Sequence, residues 1–211
     1  MKLAEHTVTA FVDNVASTSP APGGGSCAAL YGALGAALTA MVAAMTQGRE
    51  KYADFAEHAA EAQKACEELK EKLVDVMDRD TEAFNKVSDA FGMPKSTDEE
   101  KAARSAAIQE GLKACTETPM EMLALCDAAV TQAASMVDRF NDNCASDLGV
   151  AALSLKAGAQ GAWLNVLINI GSLKDKEYAD KKRAEGEALL AHATQTADAC
   201  YEAMLKLVDG Q

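Results

Sequence analysis

The sequence has few of the residues that break helices or build strands. Its 211 residues include four prolines, and aromatic side chains make up 5% of the chain. Strong helix formers, such as alanine, leucine, methionine, glutamate and lysine, are abundant instead. Because strands favour β-branched and aromatic residues, their scarcity argues against a β-sheet. The composition therefore predicts an all-α protein, and the length suits a single domain over 1–211.

The chain also lacks a surplus of positive charge. It has 20 lysines and arginines against 32 aspartates and glutamates, which gives a net charge of -12. Nucleic-acid binding requires a clustered cationic face, so we exclude a nucleic-acid partner. The chain opens without the basic and apolar segments of a signal peptide. We therefore expect a cytoplasmic protein.

Cysteine and histidine offer little for metal or nucleophilic chemistry. The six cysteines form no C-x-x-C pair, and the three histidines lie in polar or terminal contexts. Neither H-x-x-x-H nor E-x-x-H occurs, and both are frequent metal-binding patterns. We expect no metal ion and no cofactor. Any chemistry should rely on carboxylates, amides and basic side chains.

Apolar periodicity predicts about six helices in one bundle. A short helix over 7–16 precedes a Pro- and Gly-rich segment, in which Ser26 should be the N-cap of the next helix. The remaining helices are expected over 27–46, 49–91, 97–140 with an interruption at Pro119, 146–170 and 174–208. Those over 27–46 and 146–170 are nearly free of charge, which predicts that they lie at the centre.

The helix over 49–91 is unusually long for a chain of this size. Its apolar residues recur at alternating steps of three and four, as in a heptad seam. Straight, it would measure roughly 65 Å, whereas a compact chain of this length has a diameter of roughly 43 Å. The helix must therefore kink or share its core with a partner. We expect a homodimer.

The uncharged stretch over 14–47 is long enough to cross a bilayer. It is, however, rich in alanine and glycine, and its first third contains helix breakers. Small residues let other helices approach closely, so a buried central helix explains the stretch equally well. We predict no membrane partner, with a membrane segment as the alternative.

Asp80 is the most informative polar residue. It occupies a seam position between Val76 and Ala83, where the other members are apolar or small. A carboxylate in a core is unfavourable unless it is paired or its pKa is raised. Asp80 is therefore either a functional acid or base, or a structural group that caps a helix or pairs with Arg79.

Two further sets of polar residues have both functional and structural interpretations. Ser146 and Asp147 stand at the start of a charge-free helix, where they either cap it or contact a ligand. Asn165 and Asn169 are four residues apart, hence on one helix face. Their amides require hydrogen-bond partners, which a heteroaromatic ligand or neighbouring helices can supply.

A glycine-rich turn precedes the first charge-free helix. It comprises Pro22, Gly23, Gly24, Gly25 and Ser26. Converging backbone N–H groups at a helix N-terminus favour an anion. Ser26 stands where a phosphate-binding loop has lysine, so a simple flexible turn is the alternative.

Several blocks together resemble one family. The segment 19–26 and the following Ala/Gly helix resemble the opening of the cyclodeaminase/cyclohydrolase family of folate enzymes. The similarity continues through 46–49, 78–84, 93–95, 141–152 and 161–169, in the family's order. This family includes the C-terminal domain of formiminotransferase-cyclodeaminase and stand-alone methenyltetrahydrofolate cyclohydrolases.

The resemblance implies an all-helical, dimeric enzyme that binds tetrahydrofolate derivatives in a cleft, without a metal or redox cofactor. Asp80 matches the family's expected catalytic carboxylate. In one-carbon metabolism such an enzyme hydrolyses 5,10-methenyltetrahydrofolate to 10-formyltetrahydrofolate. Because no formiminotransferase domain precedes residue 1, we expect the cyclohydrolase. The alternative is a cyclodeaminase that converts 5-formiminotetrahydrofolate to the methenyl compound and ammonia.

The remaining candidates are expected to bind substrate. Asn141, Asp147, Asn165 and Asn169 would position the pterin or order the attacking water. The turn over 22–26 would meet the glutamate tail with Arg49, Lys51 or Lys95. Phe84 and Ser146 lie within the similar blocks and complete the expected substrate-binding set. A further alternative is a non-catalytic helical dimer in which Asp80 fixes the register of the helices.

Overall fold

The computed structural model describes residues 2–210, which contain helices and no strand. The six α-helices are α1 (Val8–Val15), α2 (Gly24–Thr46), α3 (Ala56–Gly92), α4 (Asp98–Ser135), α5 (Ala145–Gly171) and α6 (Lys176–Asp209). Short 3-10 helices cover Leu3–Glu5, Glu50–Phe55 and Asp142–Cys144. The predicted all-α bundle of about six helices is confirmed.

The two nearly charge-free helices, α2 and α5, form the centre of the bundle. Helix α2 contacts α3, α4 and α5, while α5 contacts α2, α4 and α6. The two backbones approach closely where glycines face each other. A Cβ added to Gly158 would lie 2.9 Å from the backbone nitrogen of Gly32. Any larger residue at Gly158 would therefore force the two helices apart.

Helix α2 is long and apolar enough to cross a membrane by length and composition. More than half of the relevant stretch is nevertheless buried inside the protein. Helices α3, α4 and α5 cover this buried part of α2, as expected for a helix in a bundle core. The structure thus supports the interpretation of α2 as a central helix.

One side of the central pair remains uncovered. Both helices expose large apolar side chains there, which together we call the apolar face. Its members are Tyr31, Leu34, Met41, Met45, Val150, Leu153, Leu164 and Ile168. Contiguous apolar surface of this kind is typical of an interaction site.

Three local predictions were wrong, two at the starts of helices and one at Pro119. Helix α2 begins at Gly24, with Gly23 as its N-cap, so Ser26 lies inside the first turn. The long helix predicted over 49–91 starts with the 3-10 helix Glu50–Phe55 and becomes α-helical at Ala56. Tyr52 has non-helical backbone angles and marks the change.

Pro119 does not interrupt α4, which is continuous over Asp98–Ser135. Proline has no N–H, so it leaves the carbonyl of Cys115 without its usual helical partner. The side chain of Asn169 supplies one, since its Nδ2 donates to that carbonyl at 2.6 Å. Packing against α3, α5 and α6 also holds both halves of α4 in place.

Candidate active site

A cavity of about 360 Å³ lies where the first turn of α2 meets α3, α4 and the end of α5. Small-molecule sites commonly begin at this size. The cavity brings together eight of the predicted site residues from distant parts of the sequence. These are Gly23, Gly24, Gly25, Ser26, Asp80, Phe84, Asn165 and Asn169. Pro22 is buried beside them and does not line the cavity.

Asp80 projects from α3 towards the first turn of α2. A Cβ added to Gly25 would collide with its carboxylate, so any larger residue at that position would displace the carboxylate from its present place. Within residues 2–210 the carboxylate has no hydrogen-bond or ion-pair partner. Burial raises its pKa to about 6. A carboxyl group with this pKa exchanges protons readily near neutral pH, as a general acid or base must.

The structural alternative for Asp80, an ion pair with Arg79, is wrong. The Arg79 guanidinium contacts Glu121 through two nitrogens, at 2.7 and 2.8 Å, and Asp75 at 2.7 Å. These contacts raise the pKa of Arg79 further above its usual range. Arg79 is thus committed to other acids, and the charge of Asp80 is available to a ligand.

The two asparagines of α5 combine both predicted roles. Nδ2 of Asn165 donates to the carbonyl of Gly161 at 2.8 Å. Nδ2 of Asn169 donates to the carbonyls of Cys115 and Asn165, at 2.6 and 2.8 Å. Their N–H groups therefore make structural bonds. Their side-chain oxygens have no partner in the described part of the chain and remain as acceptors in a cavity that both residues line.

Sequence reasoning missed several residues of the cavity wall. Thr81 follows Asp80, and its hydroxyl lies 3.2 Å from that of Ser26. Burial raises the pKa of the Cys115 thiol to about 11, and the negative charge of Asp80 adds to the effect. Phe91 lies seven residues after Phe84 on the same face of α3. That heptad spacing is the signal that could have identified it.

Asn141 lies at the other end of α2, about 30 Å along the helix from the first turn. It is fully buried. Its backbone N–H donates to Thr46 Oγ1 at 3.0 Å, and its Nδ2 donates to the carbonyl of Met45 at 3.2 Å. Its Oδ1 accepts from the N–H of Asn143 at 3.2 Å. Asn141 therefore joins the end of α2 to the start of α5 and does not reach the cavity.

The other predicted binding residues do not line the cavity either. Lys51 pairs with Asp142 at 2.9 Å, and Arg49 is exposed nearby. Lys95 is exposed in the loop between α3 and α4. Ser146 and Asp147 lie in the first turn of α5, whose N-cap is Cys144 with no side-chain capping bond. The capping role considered for this pair is therefore wrong.

Residues 2–210 contain no group of three histidine, cysteine or acidic side chains able to hold a metal ion. All six cysteines are free thiols. The chemical groups of the cavity are thus a carboxylate, two amides, hydroxyls and one thiol. An all-α bundle with an unpaired, half-buried carboxylate in such a cavity belongs to a class: helical proteins with a small-molecule site whose groups suit acid–base chemistry.

The particular family follows from comparison with known proteins. The family model of formiminotransferase-cyclodeaminase matches residues 7–188, and this chain belongs to that family. It is 40% identical over 203 residues to a methenyltetrahydrofolate cyclohydrolase from Methylorubrum extorquens, covering 96% of this chain and 98% of the relative. The family predicted from the sequence blocks is thereby confirmed.

Of two further relatives, one is much longer than this chain and the other has nearly the same length. It is 37% identical to the formimidoyltransferase-cyclodeaminase of Rattus norvegicus, covering 92% of this chain and 36% of the relative. The chain thus spans about a third of that protein. A crystal structure of formiminotetrahydrofolate cyclodeaminase from Thermotoga maritima matches with a TM-score of 0.81 and 29% identity. The match covers 99% of this chain and 98% of that one.

Proposed function

We propose that this protein is a methenyltetrahydrofolate cyclohydrolase with Asp80 as its acid and base. It hydrolyses 5,10-methenyltetrahydrofolate to 10-formyltetrahydrofolate. The observation that carries the proposal is the unpaired carboxylate of Asp80, whose pKa is raised to about 6 in the cavity. The full-length similarity to the cyclohydrolase of Methylorubrum extorquens supports this substrate.

The reaction suits a lone carboxylate. The methenyl carbon between N5 and N10 is cationic, so water can attack it without a metal ion. Ionised Asp80 accepts a proton from the attacking water and also attracts the cation. Protonated Asp80 then gives its proton to N5 as the C–N5 bond breaks, and the hydroxyl formed from the water loses its remaining proton to solvent, which leaves the formyl group on N10. Acid–base catalysis of this kind contributes ~10²–10⁴-fold.

The cavity wall supplies the binding groups. The side-chain oxygens of Asn165 and Asn169 accept hydrogen bonds from the N–H groups of the pterin. Phe84 and Phe91 offer apolar surface to its rings. Ser26 and the three glycines line the cavity beside Asp80 and would contact the substrate there, whereas Pro22 would act only by shaping the turn before them. We expect catalysis without a metal or a cofactor, and we keep the cytoplasm as our prediction for location.

The cyclodeaminase activity is the alternative. The likeness to the Thermotoga maritima cyclodeaminase over the whole chain favours it. The same groups would serve, because N10 attacks the formimino carbon and the acid protonates the departing ammonia.

Two assays separate these activities. The purified protein is mixed with 5,10-methenyltetrahydrofolate and the loss of its absorbance is followed against the uncatalysed rate. Ammonia release is measured separately with 5-formiminotetrahydrofolate. Enzyme-dependent loss of the methenyl compound without ammonia release supports the cyclohydrolase. Release of ammonia at a higher kcat/KM supports the cyclodeaminase, and inactivity in both assays rejects the enzyme.

We also propose that a second copy of this chain covers the apolar face. Leu164 and Ile168 are 67% and 72% exposed, which is unusual for large apolar residues of a central helix. Arg49 and Lys51 are about 30 Å from the cavity in their own chain, so they could touch a substrate only from the partner.

Sedimentation velocity tests this assembly. Leu164→Glu places a charge in the apolar face and should convert a dimer into monomers. Val8→Glu is the control, because Val8 is 83% exposed on α1, outside the face. A monomeric wild-type protein, or a dimer that tolerates Leu164→Glu, would contradict the proposal.

A further inference from the structure

We propose that Pro119 is a positioning residue, which fixes the side chain of Asn169 as a hydrogen-bond acceptor in the cavity. Pro119 is buried within α4 and does not line the cavity. Its influence therefore has to pass through another residue. The inference rests on the proposed function only in naming the ligand that Asn169 meets.

The link between the two residues is the carbonyl of Cys115. In an α-helix this carbonyl would accept the N–H of residue 119, four positions later. Proline has no N–H, and its ring displaces the carbonyl that precedes it by one turn. The freed oxygen lies 2.6 Å from Nδ2 of Asn169 on the neighbouring helix.

The hydroxyls nearby leave this carbonyl to Asn169. Thr116 Oγ1 donates to the carbonyl of Leu112 at 2.8 Å, and Thr118 Oγ1 donates to that of Ala114 at 3.4 Å. Neither bonds to Cys115. Within residues 2–210, the side-chain partner of the Cys115 carbonyl is Asn169.

Both N–H hydrogens of the Asn169 amide are then used in hydrogen bonds to the protein. A primary amide has two N–H hydrogens. One faces the Cys115 carbonyl and the other faces the carbonyl of Asn165, at 2.8 Å. Rotating the amide by half a turn would replace two hydrogen bonds with contacts between oxygens. The side chain therefore presents its oxygen, and not its nitrogen, as the remaining polar group.

A fixed acceptor discriminates between ligands. It favours a ring that presents an N–H, such as a pterin, over one that presents a lone pair at the same place. Without the bond to the Cys115 carbonyl, the amide of Asn169 would be held by the Asn165 carbonyl alone, and it would rotate more readily to meet either kind of group. By fixing the orientation of the Asn169 amide, Pro119 determines that the amide accepts a hydrogen bond from the ligand.

The proposal is tested by a double-mutant cycle on hydrolysis of 5,10-methenyltetrahydrofolate. Pro119→Ala restores an N–H that competes for the Cys115 carbonyl. We expect KM to rise roughly 2- to 10-fold, the range expected for one neutral hydrogen bond, with kcat nearly unchanged. Asn169→Ala should raise KM at least as much. In that background, Pro119→Ala should have no further effect, because the group it acts through is absent.

A matched control is Thr131→Ala, which alters an exposed position of the same helix and should leave KM unchanged. Equal effects of Pro119→Ala in both backgrounds, or no effect of it on KM, would overturn the proposal. If Pro119 only stabilised α4, Pro119→Ala would change KM by the same factor with and without Asn169.

A second readout needs no activity. In ¹⁵N-correlated NMR spectra, the side-chain NH₂ of Asn169 is the signal that Asn169→Ala removes. We expect its protons to exchange slowly with solvent and Pro119→Ala to accelerate that exchange, whereas Thr131→Ala does not. Unchanged exchange in Pro119→Ala would overturn the link. A wild-type protein inactive on the methenyl compound would reject the proposed function, while this measurement still decides the link.

Discussion

Two polar side chains from other parts of the chain, Asp80 and Asn141, lie against opposite ends of α2 in very different surroundings. Against its first turn, Asp80 lies half-buried without a partner among the described residues, in the wall of the cavity. At its last turn, Asn141 is buried more completely, but its amide and backbone groups are bonded to Met45, Thr46 and Asn143. Asn141 does not line the cavity that contains Asp80.

This difference separates function from architecture. A buried polar group that the protein satisfies stabilises the fold. A buried polar group that it leaves unsatisfied reduces stability and is retained where a ligand will complete it. Both residues were predicted from the sequence to contact the substrate, so the sequence did not separate them. The hydrogen-bond partners distinguish them.

The largest expected effect is the loss of catalysis in Asp80→Asn. The amide keeps the shape of the side chain but cannot accept and return a proton. We expect kcat for hydrolysis of 5,10-methenyltetrahydrofolate to fall ~10²–10⁴-fold, measured by absorbance. Glu82→Gln is the matched control, since Glu82 is exposed on the same helix two residues later. Equal kcat values in the wild type and Asp80→Asn would remove Asp80 from the mechanism.

The same substitution should stabilise the protein above pH 6. Unfolded Asp80 loses its proton near pH 3.8, whereas the folded protein keeps it until about pH 6. Between these values the native state binds more protons, so its stability falls as the pH rises. The full penalty, about 3 kcal/mol in order of magnitude, is present above pH 6.

Asp80→Asn removes this penalty. Denaturant titrations should show a gain of up to about 3 kcal/mol at pH 7.5 that disappears near pH 3.5, while Glu82→Gln shows no such pH-dependent gain. A gain in stability that is independent of pH would mean that ionisation of the Asp80 carboxylate is not what destabilises the wild-type protein.

The sequence predicted more of the first turn than of the last. Asp80 stood out because a heptad seam tolerates few charges, and the spacing of Asn165 and Asn169 put them on one face. The glycines were singled out because converging N–H groups at a helix N-terminus favour an anion, and because the segment resembles the opening of the family. For these residues, local pattern and three-dimensional position agree.

The misses have a physical cause in packing between distant segments. Arg49, Ser146 and Asp147 lie in the blocks that resemble the family, and Lys51 lies two residues after one of them. About 30 Å of helix nevertheless separates all four from the cavity within one chain. Pro119 was expected to interrupt a helix because the rule considers only the helix itself. The carbonyl that it frees, that of Cys115, is bonded by Asn169, 54 positions later in sequence. Such compensation depends on a tertiary contact that no local pattern encodes.

The smallest effect concerns the other end of α2. Asn141→Ala removes the donor to the Met45 carbonyl and the acceptor of the Asn143 N–H, both of which belong to a fully buried side chain. Leaving these groups unpaired should destabilise the protein by about 2 kcal/mol, as measured by denaturant titration at pH 7.5. Because Asn141 is fully buried and distant from Asp80, kcat and KM at a temperature where the variant is folded should match those of the wild type. Opposite signs for the stability changes of Asn141→Ala and Asp80→Asn would establish that the two ends of α2 serve different purposes. A large rise in KM with unchanged stability would instead return Asn141 to the substrate-binding residues expected from the sequence.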